Sequence, residues 1–91
     1  TAEAVQYARK NAPNVKSIAS GGLRDGLDIA KCIALGANAG GMAGPFLKAA
    51  DQSVEMVDQL IRETAAQIRI AMLCSGAGSI EQLQRTPLVK A

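Results

Sequence analysis

Residues 20–26 read SGGLRDG, residues 27–37 read LDIAKCIALGA, and residues 41–46 read GMAGPF. This succession is typical of a strand, a glycine turn, a helix, a second strand and a second glycine turn. Because both turns would follow neighbouring parallel strands, they should lie at the same end of the sheet. Their backbone N–H groups would then form a cup that suits a phosphate group.

The pair of turns predicts an α/β fold, namely the C-terminal quarter of a TIM (βα)8 barrel with two parallel strands and helices. The last two loops of such a barrel form a phosphate site of this kind. A whole barrel needs about 250 residues, and this chain has 91. We therefore expect residues 1–91 to be a C-terminal fragment of one barrel domain. The chain does not begin with methionine and has no recognisable leader, as expected for a fragment or a cleaved product.

Apolar spacing and helix breakers predict the individual elements. Helices are expected over residues 1–11, 26–35 and 53–74, with a short one after Ser79, and strands over residues 15–20 and 37–42. Ile18 is the clearest buried position of the first strand, and Pro45 should end the second. Gly40 and Gly41 weaken that second strand but allow another backbone or a ligand to approach closely.

Helical spacing also predicts which faces of the helices are buried. The face of the 26–35 helix contains Leu27, Ala30, Ile33 and Ala34, and the stripe of the long helix contains Val54, Val57, Ile61, Ala65, Ile68 and Met72. Asp58 and Arg62 should form a surface ion pair, since they are four residues apart. Ser79 and Gln82 have the spacing of a capping box at the start of the last helix.

Composition excludes several classes of function. The net charge is +2 with both signs mixed along the chain, so no basic stripe for nucleic acid exists. The longest apolar runs fall short of the ~20 residues of a membrane span. Cys32 and Cys74 lack metal-ligand spacing, and we expect buried, reduced thiols in a cytoplasmic protein. Histidine is absent, so this chain has no imidazole for acid–base work.

The candidate binding groups are backbone N–H groups in the two turns. Gly22, Leu23 and Arg24 supply them in the first turn, and Ala43 and Gly44 in the second. The Arg24 guanidinium could reach the same phosphate. We assign no catalytic residue and no metal ligand, because the carboxylates are scattered over helix surfaces.

Simpler interpretations remain for some of these residues. A single glycine turn is often only a tight connection between a strand and a helix, and the argument rests on having two of them. Asp28 has the position of an acidic residue in a first helical turn, where the helix dipole favours it. Ser20 would either contact a ligand or hydrogen-bond the loop.

The stretch from Ile18 to Lys31, followed by residues 34–37 (ALGA), resembles the FMN-dependent barrel enzymes, which include hydroxyacid oxidases, glutamate synthase and, more loosely, IMP dehydrogenase. Residues 41–50 (GMAGPFLKAA), the long helix, residues 72–77 (MLCSGA) and residues 87–89 (PLV) narrow the resemblance. They are similar to the C-terminal part of type 2 isopentenyl-diphosphate isomerases, over nearly the whole chain. Lys16-Ser17 and Gly40-Gly41 depart from the pattern of these strands.

This resemblance implies a (βα)8 barrel that interconverts isopentenyl and dimethylallyl diphosphate in isoprenoid biosynthesis. It implies reduced FMN as cofactor, with its phosphate held at Gly22, Leu23, Arg24, Ala43 and Gly44. Mg²⁺ and NADPH would serve the full-length enzyme, with ligands outside this chain. We expect a small-molecule diphosphate substrate, a homo-oligomeric parent enzyme in the cytoplasm, and no nucleic-acid or membrane partner.

Two other functions remain open. The parent could be another FMN-dependent barrel oxidoreductase resembling hydroxyacid oxidases. Alternatively, the chain could be a non-catalytic phosphate-binding module. In either case the 91-residue chain should have no activity of its own, because its reactive groups must come from elsewhere.

Overall fold

Helices and two short strands alternate along residues 2–86, which the computed structural model describes. The elements are α1 (Ala2–Asn11), β1 (Ile18–Ala19), α2 (Gly26–Ala34), β2 (Ala39–Gly40), α3 (Ala43–Gln52), α4 (Val54–Ser75) and α5 (Ile80–Gln84). α2 packs most extensively against α4, which also packs along α3. The predicted order of strand, turn, helix, strand and turn is confirmed.

The two strands pair in parallel, as predicted. Ile18 lies opposite Ala39, and Ala19 lies opposite Gly40. The strands are shorter than the predicted spans of residues 15–20 and 37–42. The physical reason is that β1 and β2 form a two-stranded sheet within residues 2–86, and a strand keeps its ladder only where a partner runs beside it.

α2 crosses from one strand to the other, and its buried face differs in part from the predicted one. Ala30, Ile33 and Ala34 are buried as expected, together with Ile29 and Cys32, but Leu27 is 47% exposed. The buried face is wider because α2 contacts β2 as well as α4 and α5. Leu27 lies at the margin of this face, in a cleft beside α4 and α5.

The close packing of α2 on the sheet depends on Gly40. A Cβ atom at this position would lie 2.8 Å from Cγ1 of Ile29, inside the contact distance of carbon atoms. The absence of a side chain at Gly40 therefore lets the Ile29 side chain approach closely. The sequence had predicted the close approach of another backbone or a ligand instead.

The long helix α4 begins and ends with caps that its sequence encodes. The Ser53 hydroxyl accepts a hydrogen bond from the Met56 N–H at 3.1 Å, and Gly76 ends the helix in the left-handed conformation. Of the predicted stripe, Val54 is 81% exposed and Ile61 is also exposed. Within residues 2–86 the stripe is covered in part, by α2 and α3, as expected for an apolar face that only a complete barrel would bury. The predicted pair of Asp58 and Arg62 is confirmed at 3.0 Å.

The last described helix, α5, has one bond of the predicted capping box: the Ser79 hydroxyl accepts from the Gln82 N–H at 3.2 Å. The Gln82 side chain reaches one residue beyond the N-cap and accepts from the Gly78 N–H. The predicted end of this helix at Pro87, and the residues 87–89 used in the resemblance, lie outside the described residues.

Three further expectations are corrected by the structure. Ile18 is 73% exposed, because it lies on a part of the sheet that no element within residues 2–86 covers. Cys74 is exposed, whereas Cys32 is buried as expected. Pro45 does not end the strand but lies in the first turn of α3. This helix was not predicted from the sequence. Proline is tolerated there because first-turn N–H groups have no acceptor inside their own helix.

The core lies between α2, the two strands and the helices that follow them. Its buried members are Val5, Ala19, Leu23, Ile29, Ala30, Cys32, Ile33, Ala37, Met42, Ala77 and Leu83. Within residues 2–86 no helix is both long enough and apolar enough to cross a membrane.

Candidate phosphate-binding site

The two glycine turns leave the sheet side by side. The parallel register continues from β1 and β2 into Ser20 and Gly41, since the Gly41 N–H donates to the Ala19 carbonyl oxygen at 2.8 Å. A Cβ atom on Gly41 would lie 3.8 Å from Cβ of Ser20. Both turns therefore start at the carboxyl ends of the two paired strands, at the same end of the sheet, as the sequence predicted. This end is where open and closed parallel sheets bind ligands.

The first turn depends on two consecutive left-handed glycines. Gly21 has φ of 89° and Gly22 has φ of 79°, values that glycine adopts without a steric penalty. No atom of residues 2–86 lies within 4 Å of where a Cβ atom of Gly22 would be. Leu23, which follows, is buried and fixes the turn to the core. The space above Gly22 is thus open to an approaching anion.

The backbone N–H of Arg24 has an internal acceptor. It donates to Oδ2 of Asp28 at 3.0 Å, and the Arg24 Nε atom lies 3.7 Å from the same oxygen. A carboxylate four residues later thus accepts from this N–H, and the contact of the Arg24 backbone with a ligand stays a prediction. The Arg24 side chain is 85% exposed, so its guanidinium remains available to a ligand.

The N-terminus of α2 is also closed by protein groups. Asp25 is the N-cap, and its carboxylate accepts from the Asp28 N–H at 2.9 Å. The Gly26 N–H donates to Oε1 of Gln67 on α4 at 2.6 Å. The N–H groups of Gly22 and Leu23 find no acceptor within residues 2–86.

The second turn leads into a helix whose N-terminus lacks a side-chain cap. The N-cap of α3 is Met42, which makes no side-chain hydrogen bond to the helix. Pro45 has no N–H, and the Phe46 N–H donates to the Met42 carbonyl oxygen at 3.3 Å. The N–H groups of Ala43 and Gly44 find no acceptor within residues 2–86.

This second pair of donors suits an anion for two reasons. A helix N-terminus carries roughly half a positive charge, and here no side-chain oxygen offsets it. Nothing lies within 4 Å of a Cβ atom built on Gly44, so a phosphate oxygen can approach the backbone. We call the N–H groups of Gly22, Leu23, Ala43 and Gly44 the phosphate cradle.

The first turn borders a hollow of about 340 Å³, lined by Arg24, Asp28, Lys31 and Cys32 among others. Burial raises the pKa of the Cys32 thiol, and the nearby Asp28 carboxylate raises it further. A raised pKa keeps the thiol protonated and unreactive. Within residues 2–86 no three His, Cys, Asp or Glu side chains are grouped to hold a metal ion.

Two partners of the site were missed by sequence reasoning. The bond from Arg24 to Asp28 has only a weak signal, the spacing of Asp25 and Asp28 that is typical of a helix start. The bond from Gly26 to Gln67 spans 41 residues, and no local pattern encodes it.

Comparison with known proteins gives matches over nearly the whole chain. A family model described as FMN-dependent dehydrogenase matches residues 1–90. The chain is 49% identical to an isopentenyl-diphosphate delta-isomerase of Synechococcus sp. over 90 residues, covering 99% of this chain and 26% of that protein. It is 45% identical over 86 residues to the protein of the same name from Nostoc sp., covering 94% and 25% of the two chains. The corresponding protein of Halobacterium salinarum is 51% identical over 72 residues, covering 79% and 20%.

A solved structure extends the comparison to the fold. The crystal structure of a mandelate oxidase Y128F variant with 4-Br-2-hydroxy-methylphenylacetate superposes with a TM-score of 0.86 at 29% identity, covering 92% of this chain and 26% of that one. The parallel strands and helices therefore correspond to part of an α/β barrel. The chain spans about a quarter of the length of the curated relatives it matches.

Proposed function

Because this chain belongs to the FMN-dependent dehydrogenase family, we propose that it is the C-terminal quarter of a (βα)8 barrel isomerase and binds the FMN phosphate. The parent enzyme would interconvert isopentenyl and dimethylallyl diphosphate. The three relatives described above, at 45–51% identity, carry the name of this isomerase. Their similarity supports the reaction, and the family supports the cofactor.

The observation that carries the cofactor site is the phosphate cradle. Four backbone N–H groups that find no acceptor within residues 2–86 lie on two turns that leave the carboxyl ends of the paired strands together. Gly22 and Gly44 leave the space beside them open, which a phosphate monoester would fill. Backbone donors at turns and helix N-termini bind phosphate through hydrogen bonds and the helix dipole together.

The residues of this chain would hold and orient the cofactor. Gly22 and Leu23 donate from one side of the phosphate, Ala43 and Gly44 donate from the other, and the exposed Arg24 guanidinium adds a positive charge. The bound reduced flavin supplies the reactive chemistry of the isomerisation. Anchoring its phosphate at the carboxyl ends of the strands would hold the cofactor in place for the rest of the parent enzyme.

The remaining requirements of the reaction fall to the rest of the parent enzyme. We propose that Mg²⁺ and NADPH are used there, with ligands outside this chain, and that the substrate is a small-molecule diphosphate. We also propose that the parent enzyme is a homo-oligomer in the cytoplasm.

A second candidate function is a flavin-dependent oxidation of a 2-hydroxy acid. The superposition on mandelate oxidase favours it, since this chain matches that fold with a TM-score of 0.86. The identity to the oxidase is 29%, compared with 49% to the Synechococcus isomerase. The isomerase is therefore the better supported of the two.

Activity of the full-length protein containing this chain separates these candidates. With reduced FMN and Mg²⁺ we expect conversion of isopentenyl diphosphate to dimethylallyl diphosphate, and no oxidation of mandelate or related 2-hydroxy acids. The 91-residue chain alone should convert neither. Oxidation of a 2-hydroxy acid without isomerisation would favour the second candidate, and turnover by the chain alone would contradict the assignment of the reactive groups to other residues.

A further inference from the structure

We propose that Asp28 is a positioning residue for the flavin phosphate: its side-chain oxygen holds the Arg24 backbone N–H and thereby sets the orientation of the Gly22 and Leu23 donors. This inference rests on the proposed binding of FMN at the phosphate cradle. It gives Asp28 a role beyond a favourable charge near a helix N-terminus.

The hydrogen bonds around Asp28 form an interlocked pair. In a capping box, the side chain of the third helical residue bonds to the N–H of the N-cap. In α2 the third residue is Asp28 and the N-cap is Asp25, but Asp28 reaches one residue further, to the Arg24 N–H at 3.0 Å. The Asp25 carboxylate accepts from the Asp28 N–H at 2.9 Å. The two bonds fix residues 24–28 to each other just after the glycine turn.

The turn needs this anchor because of its glycines. Gly21 and Gly22 both have positive φ, and glycine loses more conformational freedom on ordering than any other residue. On one side the turn continues from β1. On the other side it is held by the buried Leu23 side chain and by the bond between Arg24 and Asp28. Without that bond the N–H groups of Gly22 and Leu23 would sample orientations that miss the phosphate.

The role of Asp28 depends on its oxygen atom and not on its charge. A carboxylate near a phosphate is repelled by it, so the negative charge itself does not favour binding. The Arg24 Nε atom, 3.7 Å from the same oxygen, offsets part of this repulsion. An asparagine side chain would keep an acceptor oxygen for the Arg24 N–H while removing the charge. An alanine would remove both.

The test compares FMN with riboflavin, which lacks the phosphate, on the full-length apoprotein. Fluorescence titration gives the dissociation constant of each flavin for the wild type, Asp28→Asn and Asp28→Ala. We expect Asp28→Ala to weaken FMN binding at least tenfold and to change riboflavin binding less than twofold. For Asp28→Asn we expect FMN binding within threefold of the wild type. Asp28→Ser, whose side chain is too short to reach the Arg24 N–H, replaces the alanine variant if that variant does not fold.

A matched control is available in α4. Asp58 likewise pairs with an arginine four residues away, Arg62, at 3.0 Å. Asp58→Ala should leave the affinities for both flavins unchanged. Equal weakening of FMN and riboflavin by Asp28→Ala would indicate a general structural role and overturn the positioning role. An asparagine variant that binds FMN as weakly as the alanine variant would also overturn the positioning role. A wild type that binds riboflavin as tightly as FMN would instead contradict the phosphate cradle itself, and the positioning role with it.

Discussion

Ile29 on α2 packs directly against the backbone of Gly40 in β2, so that a Cβ atom at residue 40 would lie 2.8 Å from Cγ1 of Ile29. This contact fixes the separation of the crossover helix from the sheet, and β2 leads directly into the second turn of the phosphate cradle. The position of the second turn relative to α2 therefore depends on the absence of a side chain at Gly40.

Gly40→Ala is expected to destabilise the full-length protein by about 1–3 kcal/mol, because the added methyl group overpacks the interface with Ile29. The matched control is Gly44→Ala, since nothing lies within 4 Å of its Cβ position. In the helix α3 that substitution should stabilise the apoprotein by up to about 1 kcal/mol. Urea unfolding of the apoproteins measures both changes. A Gly40→Ala variant as stable as the wild type would contradict the close contact with Ile29.

Gly22→Ala should reduce the flavin retained by the purified full-length protein. The methyl group stands in the open space of the phosphate cradle and strains a left-handed residue by about 1–2 kcal/mol. Gly76→Ala is the control, because Gly76 has φ of 77° and nothing within 4 Å of its Cβ position, but it caps the distant end of α4. Absorbance gives the flavin content of each variant. Equal retention by the two variants would mean that the effect is backbone strain alone.

The sequence predicted the parallel strands and both turns because each rests on a local pattern. The paired glycines at 21 and 22 mark the first turn, and the apolar spacing of residues 29–34 marks the crossover helix. α3 was missed because Gly44 and Pro45 resemble helix breakers, although both are tolerated in a first turn. Ile18 was predicted to be buried because it is an apolar residue in a strand. A strand residue is buried only when another element covers its face, and local sequence does not specify that.

Side-chain contacts within the site were the other limit of sequence reasoning. Arg24 was predicted to offer its backbone N–H to a ligand, and the structure gives that group to Asp28. Whether the Arg24 N–H bonds to Asp28 depends on the backbone conformation of the turn and on the rotamer of the Asp28 side chain. The Gly26–Gln67 bond depends on how α2 and α4 pack. Residue spacing alone predicts which backbone N–H groups have no acceptor inside a helix. It does not predict which side chain accepts from them instead.

The two cysteines should differ in reactivity. Burial and the Asp28 carboxylate raise the pKa of the Cys32 thiol above its ordinary value of 9.0, so it stays protonated at pH 8, whereas Cys74 is exposed. Iodoacetamide at pH 8 should therefore label Cys74 first, as followed by peptide mass mapping. Because the unfolded thiol ionises before the folded one, the contribution of Cys32 to stability should fall as the pH rises through 9. Labelling of both thiols at the same rate would contradict the burial of Cys32.

The isolated 91-residue chain is expected to associate or to remain poorly ordered. Large apolar side chains are exposed on the strands and helices, among them Ile18, Leu47, Val54, Ile70 and Leu73. Each is worth about 1.5–3 kcal/mol when fully buried, and both outer edges of the two-stranded sheet are unpaired within residues 2–86. Sedimentation velocity and a thermal melt test this. A dilute monomer with a cooperative transition would show that the chain folds independently.

The most direct test of the phosphate cradle is a crystal structure of the full-length protein with FMN bound. We expect FMN phosphate oxygens within about 3.2 Å of the backbone nitrogen atoms of Gly22 and Leu23 on one side and of Ala43 and Gly44 on the other. The bond between Arg24 and Asp28 should be retained. A phosphate bound elsewhere, with these four nitrogen atoms facing only solvent, would contradict the central claim.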